Sequence, residues 1–86
     1  MTLESTGKRL AVALLVEELA RASETGMAEH KNIVASLANR YDYTHGAAKR
    51  ILNAVFNAGW LERPFRGCYR LTEEAYKSLE KAGIEV

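Results

Sequence analysis

The segment most informative about the fold is Thr44-His45-Gly46-Ala47-Ala48-Lys49-Arg50-Ile51-Leu52-Asn53-Ala54-Val55-Phe56-Asn57-Ala58-Gly59. Thr44 is a favourable N-cap, because its hydroxyl can accept a hydrogen bond from a backbone N–H that the first helical turn leaves free. Gly59 readily adopts the left-handed conformation that ends many helices. The stretch therefore predicts a helix that begins after Thr44 and runs to about Ala58.

This predicted helix has an apolar face and a polar face. Projected at about 100° per residue, the apolar face gathers Ala48, Ile51, Leu52, Val55 and Ala58. The polar face gathers Gly46, Lys49, Arg50, Asn53 and Asn57. Lys and Arg contact phosphate or guanine, and Asn can pair with adenine in the major groove. No Asp or Glu occurs between Tyr43 and Leu61, so this face favours contact with a polyanion. The alternative is a solvent-facing side that lacks acids by chance.

Two helices are predicted upstream of this stretch. Lys8–Ala22 consists almost entirely of helix-forming residues, without Gly or Pro. One of its sides carries Val12, Leu15, Val16 and Leu19, and the opposite side carries Leu10 and Leu14. A helix that is apolar on two sides needs two partners, which are the core and either the last helix or a second subunit. The second helix is predicted from about Ala28 to Arg40, with an inward stripe of Ile33, Val34, Leu37 and Ala38.

A hairpin and a last helix are predicted downstream. The β-compatible runs Trp60–Arg63 and Cys68–Leu71 flank the turn signal Pro64-Phe65-Arg66-Gly67. We expect Phe65 to fold back onto the sheet, because large aromatic residues usually do so, and the alternative is an exposed ring that packs on a sugar edge. Thr72 then caps a helix that Gly83 ends, with an apolar face of Ala75, Tyr76, Leu79 and Ala82. The predicted order is α-α-α-β-β-α, a mainly α fold with a small β-hairpin.

The 86 residues fit one domain, with residues 1–7 irregular and disordered and residues 83–86 forming a frayed tail. The composition, 48% hydrophobic and 27% charged, is typical of soluble globular proteins. A single cysteine excludes an internal disulfide and suits a reducing compartment. The longest apolar run, Leu10–Val16, is too short to span a membrane, and the first residues do not form a signal peptide. We therefore expect a cytoplasmic protein that does not bind membranes.

The net charge of +1 conceals two regions of opposite sign. Residues 40–70 carry six bases against two acids, a net charge of +4, and the rest of the chain carries six bases against nine acids, a net charge of −3. A basic middle between acidic flanks indicates that one face contacts phosphate, although random scatter in a small protein remains an alternative.

Several segments together resemble a known family. Ile33-Val34-Ala35-Ser36-Leu37-Ala38-Asn39-Arg40, Thr44, Ile51-Leu52 and Gly59-Trp60-Leu61-Glu62-Arg63 resemble the winged helix-turn-helix of transcription regulators of the MarR, ArsR and PadR type. Tyr69-Arg70-Leu71-Thr72 resembles the Tyr-x-Leu-Thr that closes the wing and opens the last helix. The resemblance covers about residues 10–82 and is specific to the superfamily rather than to one family.

The resemblance implies a recognition helix over about residues 44–58 and a wing over about residues 61–72. It places His45, Gly46, Ala47, Lys49, Arg50 and Asn53 in the major groove and Arg66 at the wing tip. We add Thr44, Asn57 and Arg63 as further candidate DNA-binding residues. Gly46, Ala47 and Ala48 offer few hydrogen-bonding groups, which predicts that duplex shape and backbone are read as much as the bases.

Other functional classes lack the required patterns. His30, His45 and Cys68 do not have the spacing of a metal site. Neither a glycine-rich phosphate loop nor a nucleophile elbow is present, so we expect no enzyme, no metal and no small-molecule cofactor.

The sequence thus predicts a double-stranded DNA-binding regulator of transcription that acts as a homodimer. The predicted dimer interface consists of Leu10, Leu14, Tyr76 and Leu79, although these residues could instead form an internal contact between the first and last helices. The alternative functions are a protein-interaction module built on the same fold and, ranked below it, RNA binding, which usually needs exposed aromatic side chains.

Overall fold

The computed structural model describes residues 5–84, which form four α-helices and three short strands. In chain order these elements are α1 (Ser5–Ala22), β1 (Ala28–Glu29), α2 (His30–Tyr41), α3 (His45–Asn57), β2 (Leu61–Phe65), β3 (Cys68–Leu71) and α4 (Glu73–Lys81). The fold is mainly helical with a small antiparallel sheet. The predicted order α-α-α-β-β-α is incomplete, because it lacks β1.

Helix α1 (Ser5–Ala22) already includes Ser5, three residues before the predicted start. Residues 5–7 are therefore helical rather than irregular, and residues 1–4 lie outside the described residues. Among residues 7–22, five side chains of the helix are buried: Val12, Ala13, Leu15, Val16 and Ala20. Leu10, Leu14 and Leu19 are half-buried and pack against the same core, so both apolar sides of the helix find partners within this chain.

Strand β1 replaces the predicted first turn of the second helix. Ala28 pairs with Tyr69 and Glu29 pairs with Cys68, both in antiparallel register. The backbone N–H of His30 donates to the carbonyl of Gly67 at 2.7 Å. These bonds satisfy backbone groups that a helix starting at Ala28 would leave free, and α2 begins only at His30. Its buried residues are Ile33, Val34 and Leu37, as predicted, whereas Ala38 is only half-buried.

The three strands are arranged in the order β1-β3-β2. Between β2 and β3, Leu61 pairs with Leu71 and Glu62 pairs with Arg70, but Phe65 pairs with Cys68. The register therefore shifts by one residue between Glu62 and Phe65, which marks a β-bulge. Gly67 closes the turn with a φ of +77°, a conformation that glycine adopts without a steric penalty.

The core lies between the sheet and the helices, and every helix contributes to it. Its largest fully buried side chains are Leu15, Ile33, Leu37, Leu52, Leu79, Val12, Val16 and Val55. Beyond α4, the N–H of Ile84 donates to the carbonyl of Leu79 at 3.0 Å, and its side chain packs against the core. The expected frayed tail therefore does not include residues 83–84, and residues 85–86 lie outside the described residues. Over the described range, no helix combines the length and the apolar character that crossing a membrane requires.

Candidate nucleic-acid interface

Helix α3 has the capped ends that its sequence predicts. The hydroxyl of Thr44 accepts a hydrogen bond from the N–H of Ala47 at 3.1 Å. At the other end, Ala58 is the C-cap and Gly59 has a φ of +84°. The helix covers 13 residues and is about 20 Å long. The Thr44 cap fixes the start of the helix, and the start of the helix sets where its surface side chains lie.

The two predicted faces of α3 are separated by burial. Ala48, Leu52 and Val55 are buried, and Ile51 is half-buried. Ala58 is exposed, so its predicted place on the inner face is wrong, because the helix ends there and the chain turns away. All members of the polar face are exposed: Gly46, Lys49, Arg50, Asn53 and Asn57. The exposed surface of α3 therefore carries cations and amides without a carboxylate.

The first turn of α3 adds small and polar groups to this surface. Thr44, His45 and Gly46 are exposed, whereas Ala47 is half-buried and offers less surface than expected. A Cβ built on Gly46 would meet no atom within 4 Å. The front of the helix is therefore open, and a flat ligand surface can approach the backbone of this turn closely.

The β2–β3 hairpin is fixed to the C-terminal end of α3. The hydroxyl of Thr72 donates to the carbonyl of Gly59 at 2.7 Å, and the N–H of Thr72 donates to the carbonyl of Trp60 at 3.0 Å. The same hydroxyl accepts from the N–H of Ala75 at 3.3 Å and so caps α4. One threonine thus joins the hairpin, the end of α3 and the start of α4, which sets the position of the hairpin beside α3.

Arg63 connects the hairpin to α3 through an aromatic ring. Its guanidinium lies 5.1 Å from the ring centroid of Phe56, within the range of a cation–π interaction. The Phe56 ring in turn meets Tyr69 edge-to-face, with centroids 5.9 Å apart. Sequence reasoning missed Phe56, although its position on α3 between the two faces was a usable signal. The ring holds Arg63 at the flank of the exposed surface of α3.

The arginines differ in whether a carboxylate binds them. Arg40 forms two hydrogen bonds with Glu18, both 2.9 Å long, and Arg70 pairs with Glu62 across the hairpin. The Arg40 guanidinium lowers the pKa of Glu18 through hydrogen bonding and charge. On α3 and the hairpin, four bases have no acidic partner within 4.0 Å among residues 5–84: Lys49, Arg50, Arg63 and Arg66.

Arg63 and Arg70 lie on opposite sides of the hairpin. Arg70 pairs with Glu62, and side chains alternate along a strand, so Arg63 lies on the other side. At the hairpin tip, Phe65 is 66% exposed, and the expectation that it folds back onto the sheet is wrong. The β-bulge accounts for this, because it turns Phe65 out of the alternation that its place in the sequence suggests.

The predicted dimer residues occupy different environments. Leu79 is fully buried in the core, so it cannot form part of a surface in this fold. Leu10 and Leu14 are half-buried against the core. Tyr76 is 40% exposed, and its hydroxyl donates to Glu17 of α1. This hydrogen bond is a contact between the first and last helices, as the alternative to the dimer interface requires.

The remaining candidate residues are dispersed. His45 is exposed, whereas His30 is half-buried, with its ring centroid 6.0 Å from that of Tyr69. Cys68 is half-buried on β3. In the part of the chain that the structure describes, no cluster of three or more His, Cys, Asp or Glu side chains has the geometry to hold a metal ion.

The chain was also compared with known proteins. No family model, no curated protein and no solved structure matches it at a significant level.

Proposed function

We propose that the protein is a cytoplasmic winged helix-turn-helix domain that binds double-stranded DNA and regulates transcription. In this proposal α3 lies in the major groove, and the β2–β3 hairpin acts as the wing on the backbone or the minor groove. The observation that carries the proposal is the exposed face of α3, which has cations and amides and no acids, with Arg63 beside it. Among residues 5–84, Arg63 and Arg66 have no acidic partner within 4.0 Å.

The dimensions and charges of α3 support this arrangement. A helix with its side chains is about 10–12 Å wide, and the major groove of B-DNA is about 12 Å wide. The small residues of the first turn allow close approach to the groove wall. Lys49, Arg50 and Asn53 are exposed at the centre of the helix, where they can reach base edges. Because the first turn is nearly featureless, phosphate contacts and duplex shape supply most of the affinity.

The proposal is tested by titrating a 30-base-pair duplex with the protein at rising salt. Each phosphate that is neutralised contributes about −0.9 to the slope of log K against log [salt], so phosphate contacts from Lys49, Arg50, Arg63 and Arg66 predict a slope of roughly −3 to −4 per protomer. A flat salt response, or no binding at low salt, contradicts the proposal.

Charge reversal locates the interface. Lys49→Glu together with Arg50→Glu should abolish duplex binding, because both side chains are exposed on the face proposed to meet phosphate. The matched control is Lys77→Glu together with Lys81→Glu on α4, which changes the net charge equally. Equal loss of binding in both double variants would show that only the overall charge matters.

A protein-interaction module is the second candidate function, and the exposure of Phe65 favours it. Exposed aromatic residues are common at the centres of protein interfaces. This alternative predicts that Phe65→Ser disrupts binding to a partner protein, whereas Lys49→Glu with Arg50→Glu leaves that binding intact.

We further propose that the protein acts as a homodimer on a two-fold-related DNA site. The partly exposed Leu10, Leu14 and Tyr76 support this idea, whereas Leu79 does not contribute. Light scattering at micromolar concentration is the direct test, and a species of 9.6 kDa alone would reject the dimer.

A further inference from the structure

A groove runs between the N-terminal part of α1 and the flank of α3. It has a volume of about 260 Å³ and is lined by Lys8, Arg9, Arg50, Ile51, Ala54 and Val55. We call it the α1–α3 groove. The sequence does not suggest it, because Lys8 and Arg9 are more than 40 positions from Arg50 and only the packing of α1 against α3 brings them together.

The α1–α3 groove combines a basic rim with an apolar floor. Arg9 and Arg50 are exposed and Lys8 is half-buried. Among residues 5–84, none of the three has an acidic partner within 4.0 Å. The floor is formed by Ile51, which is half-buried, and by the buried Val55 with the exposed methyl group of Ala54. Such a surface suits a ligand that is anionic on one side and carbon-rich on the other.

The position of the groove relative to the hairpin narrows the choice of ligand. In helical projection Ala54 and Ile51 lie on one flank of α3, and Lys49 and Phe56 lie on the other. Arg63 of the hairpin sits over the Phe56 ring, so the hairpin occupies that second flank. A helix in the major groove has one sugar-phosphate backbone on each side. The hairpin flank and the groove flank are therefore both placed to meet a DNA strand.

We infer that the α1–α3 groove seats the sugar-phosphate backbone of the DNA strand on the side of α3 away from the hairpin. Lys8, Arg9 and Arg50 contact consecutive phosphates, and the deoxyribose carbons pack on Ile51 and Ala54. This inference rests on the proposed DNA binding and extends it, because it adds Lys8 and Arg9 of α1 to the interface.

The first test neutralises the rim. Lys8→Gln with Arg9→Gln should reduce the magnitude of the salt slope of duplex binding by about 2, since each lost phosphate contact removes about 0.9. The corresponding loss of affinity at 0.1 M salt is about eightfold per contact. The control Lys77→Gln with Lys81→Gln removes the same two charges from α4 and should leave the slope unchanged.

The second test acts on the floor. Ala54→Glu places a carboxylate beside the proposed strand and should weaken duplex binding by more than tenfold. Ala54→Gln introduces a neutral side chain of nearly the same size as Glu, so any loss of binding that it causes measures the steric effect alone, and Ala54→Glu should bind clearly more weakly than Ala54→Gln. Both residues are good helix formers at an exposed position. Urea unfolding of each variant checks that the fold is retained.

The outcomes separate the inference from the function on which it rests. A reduced slope for Lys8→Gln with Arg9→Gln, together with weaker binding by Ala54→Glu than by Ala54→Gln, supports the inference. If the wild type binds duplex and these variants bind equally well with an unchanged slope, the groove inference is overturned and the proposed function stands. If the wild type binds no duplex at any salt concentration, both are overturned.

Discussion

At the scale of single residues, the surface of this protein is organised by which cations have carboxylate partners. Arg40 and Arg70 are bound by Glu18 and Glu62, and a carboxylate competes with phosphate for the same guanidinium. Arg63 instead lies over the ring of Phe56, which leaves its hydrogen-bond donors available. An arginine that is bound by a carboxylate is less available to phosphate. The partner of each arginine therefore indicates its capacity to bind a polyanion more directly than its position in the sequence does.

The Arg63–Phe56 contact should be measurable as a coupling energy. A double-mutant cycle with Phe56→Leu and Arg63→Gln, read by urea unfolding, should give about 0.5–1 kcal/mol, the usual size of a cation–π contact at an exposed site. Arg66→Gln is the control, because Arg66 has no contact with this ring in the described structure. If the coupling energy between Phe56 and Arg63 is no larger than that between Phe56 and Arg66, the cation–π contact contributes nothing to stability.

The ion pair between Glu18 and Arg40 predicts a pH dependence. Its hydrogen bonds and charge hold the pKa of Glu18 below the ordinary value in the folded protein. The pair's contribution to stability is therefore present above the ordinary glutamate pKa and is lost as the pH falls through the lowered value. In a carboxyl NMR titration, Arg40→Gln should raise the pKa of Glu18. An unchanged pKa would show that the pair does not persist in solution.

The hydroxyl of Tyr43 allows the cost of a buried polar group to be measured. Its hydroxyl is buried and has no hydrogen-bond partner among the described residues. Leaving such a group unsatisfied costs about 1–3 kcal/mol. Tyr43→Phe should therefore leave the free energy of unfolding unchanged or raise it, whereas a loss above about 1 kcal/mol in urea unfolding would reveal a hidden partner.

At the scale of elements, the start of α3 depends on one hydroxyl. Thr44→Ala removes the hydrogen bond to the N–H of Ala47 and should lower the free energy of unfolding by about 1 kcal/mol. Thr44→Ser keeps the oxygen and should cost much less. Chemical denaturation of the three proteins measures the difference, and an equal cost for both substitutions would mean that the cap hydrogen bond is not the cause.

The elements also show what local sequence can predict. Helix α3 was predictable because Thr44, the apolar stripe and Gly59 are all local signals. Strand β1 was not, because Ala28 and Glu29 have no strand preference and are held extended only by pairing with Tyr69 and Cys68. The exposure of Phe65 follows from a bulge, and hairpin register is set by contacts that a linear pattern does not contain.

At the scale of the whole molecule, separating the core from the candidate binding surface matters because the domain is small. For a chain of 86 residues, the expected free energy of unfolding is only about 4–13 kcal/mol. Each helix contributes buried side chains to one cluster, while the basic groups of α3 and the hairpin remain outside it. Substitutions on the basic surface can therefore alter binding without unfolding the protein.

Leu79 tests the separation of the core from the surface most directly. The sequence predicts it in a dimer interface, whereas the structure places it in the core. It is fully buried, so Leu79→Ala should leave a cavity and lower the free energy of unfolding by about 2–5 kcal/mol. Tyr76→Phe, which removes only the hydroxyl that donates to Glu17, should cost about 1 kcal/mol or less because that contact is exposed. Urea unfolding at two protein concentrations tenfold apart measures both effects. If Leu79 belongs to the core of the monomer, its cost is the same at both concentrations. A cost that grows on dilution would instead mean that Leu79 stabilises an association between two chains, and the packing of α4 against this core would then have to be revised.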